Sequence, residues 1–139
     1  MPLTLNYLSF VVADMPRSLD FYRTLGLPIP AGAHLNAEGE PEHHVEITQN
    51  GLRIAWETEE LVRQVYPGWT APPRGQARLG TALEASTPAE VDAACQRLEA
   101  QGYEVKAAPY DAFWGQRYAT VTDPDGNSVD VFAWLGGQS

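Results

Sequence analysis

The 139-residue chain is 44% hydrophobic, a length and composition suited to one compact domain with a continuous core. Eighteen acidic residues against nine basic ones give a formal charge of -9, which repels a phosphate backbone; this excludes nucleic acid as a partner and suits a cationic small molecule. No apolar run reaches the length of a membrane span, and Met1-Pro2-Leu3-Thr4 lacks the basic and apolar regions of a signal peptide, so a cytoplasmic location is expected.

Leu8, Phe10 and Val12 alternate with Tyr7, Ser9 and Val11, which predicts a strand from Leu5 to Val12 with one face on a helix-covered core and Tyr7 on the other. Asp14 is placed to cap a helix from Met15 to Leu25, with Pro16 in its first turn and Gly26 just past its end. Ser18, Phe21, Tyr22 and Leu25 form its buried stripe. Strands from His43 to Gln49 and from Leu52 to Glu57 flank Asn50-Gly51, a pair suited to a two-residue type I′ turn. Pairing Gln49 with Leu52 sets Ile47 against Ile54, Val45 against Trp56 and His44 against Glu57. The apolar pairs then belong to the helix-covered face, and His44, Glu46, Arg53, Ala55 and Glu57 point to the opposite one, which is polar enough for a ligand cleft. Thr58 to Ala77 opens with a short helical signal at Thr58-Glu59-Glu60 and continues as a proline-stiffened connector, in which Tyr66 and Trp69 are read as exposed.

The second half starts at Arg78. Thr87-Pro88-Ala89-Glu90 combines a capping box with proline at the first helical position, and Val91, Ala94, Cys95 and Leu98 follow as the buried stripe. Cys95, the one cysteine, is read as packing. An Asp123-Pro124-Asp125-Gly126-Asn127 turn joins a strand ending near Thr122 to one starting near Ser128, with Val129, Val131 and Ala133 on one side and Asp130, Phe132 and Trp134 on the other. Leu5 to Glu57 and Arg78 to Asp130 thus repeat one another, predicting a single domain, residues 1–139, made of two modules (about 3–57 and 78–135) joined by a linker, 58–77.

The strand followed by Asp14, Arg17-Ser18, Phe21-Tyr22 and Leu25-Gly26, together with Trp114-Gly115 and the Asp123 to Asn127 turn, resembles the vicinal oxygen chelate superfamily. That superfamily includes glyoxalase I, extradiol dioxygenases and bleomycin resistance proteins. The resemblance implies an α+β fold of two βαβββ modules, forming a curled mixed sheet around a cleft with helices on the outer face, and a homodimer. Family enzymes place metal ligands at positions that map to Tyr7, Glu57, Gly80 and Asp130; the separations Tyr7 to Gly80 and Glu57 to Asp130 are both 73 residues. Tyr7 stands where histidine is usual, Gly80 offers no side chain, and Asp130 is a shortened form of the usual glutamate.

Two readings follow. In the first, resembling bleomycin resistance proteins, the chain holds no metal and sequesters an aromatic or cationic ligand through Tyr7, His44, Glu57, Trp114, Arg117, Asp130 and Phe132. Arg117 is expected to pair with Asp130 across neighbouring strands. In the second, a divalent metal (Zn, Ni, Mn or Fe) held by His44, Glu57 and Asp130 serves a lyase, isomerase or dioxygenase. Glu57 and Asp130 are also the candidate catalytic acid and base. No Gly-x-Ser-x-Gly elbow, phosphate-cradling loop or Cys-x-x-Cys pair is present.

Overall fold

The computed structural model describes residues 4–76 and 79–137. Met1 to Leu3, and the Ala77-Arg78 step on which the second repeat was expected to open, lie outside the described residues. The chain divides into two compact units, Met1–Ala71 and Pro72–Ser139, with the division inside the expected linker.

In the first unit β1 (Leu8–Val12) leads into α1 (Met15–Thr24), and a hairpin follows, β2 (His44–Gln49) and β3 (Leu52–Thr58). The sheet order is β1-β3-β2, with β1 parallel and β2 antiparallel to β3. β1 starts later than its alternation suggested, and Leu5 stays 79% exposed. Asp14 caps α1 by accepting a hydrogen bond from the Arg17 amide at 3.1 Å. The buried stripe of α1 is Met15, Ser18, Leu19, Phe21 and Tyr22, while Leu25 serves as the C-cap instead of joining it. Phe10, Tyr22 and Trp56 stack between helix and sheet, with centroid separations of 4.9 Å for Phe10–Tyr22 and 5.9 Å for Phe10–Trp56. Asn50 and Gly51 both take positive φ, as a type I′ turn demands, and the hairpin register pairs Gln49 with Leu52 and His44 with Glu57 as expected.

Thr58 accepts a hydrogen bond from the Leu61 amide at 3.1 Å and starts α2 (Glu59–Val65), a longer helix than the Thr58-Glu59-Glu60 signal suggested. Tyr66 is exposed as expected, but Trp69 is half-covered, with the Arg63 guanidinium 5.6 Å from its ring centroid.

The second unit contains β4 (Thr81–Glu84), α3 (Pro88–Ala100), β5 (Glu104–Asp111), β6 (Gln116–Thr122) and β7 (Ser128–Trp134), in sheet order β4-β7-β6-β5. Val91, Ala94, Cys95 and Leu98 of α3 pack on the sheet face that carries Val121, Val129, Val131 and Ala133. Burial pushes the Cys95 thiol pKa up, consistent with a packing role. The first unit has no counterpart of β5: its residues 26–43 form an irregular passage with one isolated bridge, Leu35 to Pro41. Pro28, Pro30 and Pro41 there lack the amide that a ladder needs. The α+β class with mixed sheets holds. Among the described residues no helix is long and apolar enough to cross a membrane.

The repeat is not kept at one separation. Leu8 pairs with Ile54 and Thr81 pairs with Val129, so the first strands are 73 residues apart but the last strands 75. Val11 faces Glu57 where Glu84 faces Phe132, which makes Phe132, not Asp130, the positional partner of Glu57. One of the two extra residues lies in the second turn. There the Asp123 amide donates to the Asn127 carbonyl at 2.9 Å around three residues, where Gln49 and Leu52 enclose two. A slip of two preserves side-chain parity, so Asp130 keeps its face and moves by one rung.

That second turn is organised by the buried Asp123 carboxylate, whose Oδ1 accepts from the Asp125 amide at 3.0 Å and the Asn127 amide at 2.8 Å. Gly126 has φ +88, and a Cβ there would meet Arg74 Cγ and the Gly75 nitrogen at 2.5 Å. Left-handed strain of about 1–2 kcal/mol adds to overpacking of about 1–3 kcal/mol, so Gly126→Ala should lower the urea midpoint well beyond Gly26→Ala. Gly26 also has a positive φ, +108, but faces open space. Equal losses in the two variants would show that the Arg74-Gly75 contact contributes nothing.

Candidate functional site

Strand parity gives each unit one face covered by its helix and one face without it, and the polar and aromatic residues gather on the latter. In the first unit the faces divide as the hairpin register required. Ala55 nevertheless lies fully covered, flanked in register by Ser9 and Glu46. His44 Nδ1 lies 3.0 Å from Glu57 Oε2 and its Nε2 lies 2.8 Å from Glu46 Oε2. Arg53 pairs with Glu46 and donates to Asn6 Oδ1 at 2.7 Å, extending the chain of contacts to the segment before β1. The Tyr7 ring stands edge-on to the His44 imidazole at 5.5 Å, joining Tyr7, His44 and Glu57.

A carboxylate only accepts, so an imidazole with a carboxylate at each nitrogen is best satisfied with both nitrogens protonated. The Glu46 hydrogen bond is the largest influence raising the His44 pKa above 6.5, and contacts to Glu57 add to it against partial desolvation. The His44 and Arg53 contacts lower the Glu46 pKa below 4.5.

In the second unit β5, β6 and β7 present an aromatic group. Tyr118 lies opposite Phe132, with near-parallel rings 6.4 Å apart. The Trp114 ring meets the Tyr118 ring edge-on at 5.3 Å, and its indole N–H donates to Gln116 Oε1 at 2.7 Å. Tyr110 contacts both Trp114 and Tyr118, and Trp134 meets Phe132 at 6.2 Å. Phe113 stands 97% exposed at the hairpin tip, on the Trp114 ring. Within this group Asp130 accepts from the Tyr118 hydroxyl at 2.5 Å and the Thr120 hydroxyl at 3.0 Å. The Asp130 hydrogen bond, with burial, pushes the Tyr118 pKa up to about 12.

Arg117 does not pair with Asp130. Its side chain alternates with Tyr118 along β6 and so leaves by the helix-covered side, where it binds Asp92 of α3 at 3.0 and 3.2 Å and Asp111 of β5 at 3.1 Å. It fastens α3 to the sheet and leaves the set of ligand contacts. Tyr118 and Thr120 replace it as partners of Asp130. Counting back from the Asp123–Asn127 turn was the available signal, since that register sets Tyr118 against Phe132 and Thr120 against Asp130.

The residues present do not form a metal-binding set. Both His44 nitrogens face carboxylates, so a metal could reach the ring only by displacing Glu46 or Glu57. Asp130 serves two hydroxyls, and Gly80 has no side chain to donate. Among the described residues, no group of three or more His, Cys, Asp or Glu side chains could hold a metal ion.

Because His44 is raised, its contribution to stability is complete below 6.5 and fades as pH climbs through its folded value. Glu46 is lowered, so its contribution is complete above 4.5 and fades as pH falls through its folded value. NMR titration should place the His44 midpoint above 6.5, and Glu46→Gln should bring it down. A midpoint unmoved by Glu46→Gln would contradict the paired imidazolium. Absorbance titration of the phenols should leave Tyr118 unionised at pH 11, and Asp130→Asn should raise the number of tyrosines ionised there by one.

A model of the Glyoxalase/Bleomycin resistance protein/Dioxygenase superfamily matches residues 4–131. No curated protein sequence matches the chain. Among solved structures, a hypothetical protein from S. aureus superposes with TM-score 0.74 at 20% identity, over 96% of this chain and 95% of that one. A glyoxalase/bleomycin resistance protein/dioxygenase from Nocardioides gives TM-score 0.68 at 26% identity, over 100% of this chain and 89% of that one. Lactoylglutathione lyase from Agrobacterium tumefaciens gives TM-score 0.61 at 22% identity, over 95% of each chain. The first and third of these likenesses speak to the fold alone. With a repeated strand-helix-hairpin plan, mixed sheets and a family match over nearly its full length, the chain belongs to the Glyoxalase/Bleomycin resistance protein/Dioxygenase superfamily.

Proposed function

We propose that this chain binds and sequesters a small aromatic or cationic organic molecule, without a resident metal. The observation that carries this reading is the aromatic group of the second unit, in which Tyr110, Trp114, Tyr118, Phe132 and Trp134 form one connected set of ring contacts. Such a surface offers ring faces and edges to a flat molecule, and the half-exposed Trp114 is positioned to take part. The donor chemistry described above supports the metal-free part, because both His44 nitrogens are engaged by Glu46 and Glu57. Asp130, held by the Tyr118 and Thr120 hydroxyls, then acts as a charged group beside the ligand.

The alternative is a metal-dependent lyase, isomerase or dioxygenase of the glyoxalase type. Its support is the contact of His44 with Glu57, two side chains of the kind that ligate Zn, Ni, Mn or Fe. It requires one His44 nitrogen to surrender its carboxylate partner. Metal analysis of protein purified without chelators separates the readings: stoichiometric metal would overturn sequestration without metal.

The binding reading is tested by tryptophan fluorescence during titration with flat aromatic molecules such as quinoline and N-methylquinolinium. Trp114→Ala should weaken binding roughly tenfold, as loss of one aromatic contact of about 1–1.5 kcal/mol predicts. Absence of binding by any such molecule at millimolar concentration would overturn it. We further propose a homodimer, in which Val65 and Tyr66 at the end of α2, 79% and 61% exposed, become buried. Light scattering that shows a monomer at micromolar concentration would contradict the dimer.

A further inference from the structure

The aromatic group borders a carboxylate with no counter-ion among the described residues. Asp130 is half-buried and accepts from two neutral hydroxyls, Tyr118 and Thr120, which stabilise its charge without cancelling it. No arginine, lysine or histidine pairs with it among the described residues. Arg117, the nearest basic residue along β6, is committed on the opposite face to Asp92 and Asp111. Lys106 lies at the bulge of the edge strand β5, two strands from β7. On the other side, Glu84 of β4 is in register with Phe132 and shares its face, adding a second negative charge at the rim. A part-buried negative charge beside a group of aromatic rings and lacking a cation attracts one from outside.

The kind of cation follows from how Asp130 is already used. Its oxygens have two acceptor positions taken by hydroxyls, and the neighbouring rings are poor acceptors. A primary ammonium, strongly hydrated and carrying three donors, would lose more hydration than this surface returns. A cation with no N–H and a dispersed charge has little hydration to lose and gains from both the carboxylate field and the ring faces.

The geometry points to a flat, permanently charged organic cation, of the N-alkylated heteroaromatic class, as the ligand selected by Asp130, Tyr118, Phe132 and Trp114. This deepens the binding reading above and rests on it.

Calorimetry on the full chain at pH 8 with three probes tests it: N-methylquinolinium, neutral quinoline, and 1-naphthylmethylammonium. N-methylquinolinium should bind about tenfold more tightly than either of the others, and the advantage should shrink as salt is raised. Asp130→Asn should remove the preference for the cation while leaving quinoline affinity in place. Glu84→Gln, an exposed change, should reduce the preference partly and keeps the test open if Asp130→Asn does not fold. Equal affinity for N-methylquinolinium and quinoline, or tighter binding of the primary ammonium, would overturn cation selection and leave aromatic binding standing. Failure of all three probes to bind would overturn both.

Discussion

Everything functional in this chain depends on the pleat. A strand sends successive side chains to opposite faces, and in each unit a helix takes one face for the core. Trp56 and Glu57 are neighbours in β3, yet the first is fully buried beneath α1 and the second meets His44 on the other side. Tyr118 and Arg117 are neighbours in β6, yet one joins the aromatic group while the other grips α3. Burial of the apolar face is what fixes the register, and the register then dictates which polar groups can meet.

The two open faces solve charge differently. In the first unit the acids have basic partners, since His44 contacts Glu46 and Glu57 and the Arg53 guanidinium pairs with Glu46. Glu57, a residue in a family metal position, is thereby tied to His44. In the second unit Asp130 is satisfied in hydrogen bonds but not in charge. Hydrogen-bond satisfaction and charge compensation are separate requirements, and this face meets only the first.

Much of this was legible in the sequence where local signals were strong. Asn50-Gly51 fixed a two-residue turn, and from it the His44 to Glu57 pairing followed without any tertiary information. Asp14 and Thr87 marked their helix starts for the same reason, because capping is decided within a few residues. What failed was reasoning that crossed elements. The partner of Arg117 lay on α3, a helix whose position over β6 no local pattern encodes, so adjacency to Asp130 in the sheet was a misleading guide. The absence of a first-unit β5 was foreshadowed by prolines, whereas the exchange of Asp130 for Phe132 as the counterpart of Glu57 depended on the turn between Asp123 and Asn127.

That longer turn shows how duplicated sheets can diverge. Because faces alternate with every residue, displacements along a strand come in two kinds: odd ones, which exchange core for solvent and are ruinous, and even ones, which leave the core undisturbed. The second half has taken an even step. Its chemistry has therefore been re-indexed without being rebuilt, carrying an aromatic ring to the place of an acid and an acid to the place of Ala55. A duplicated scaffold of this type holds a discrete set of such offsets, each a different arrangement of the same side chains over the same buried core.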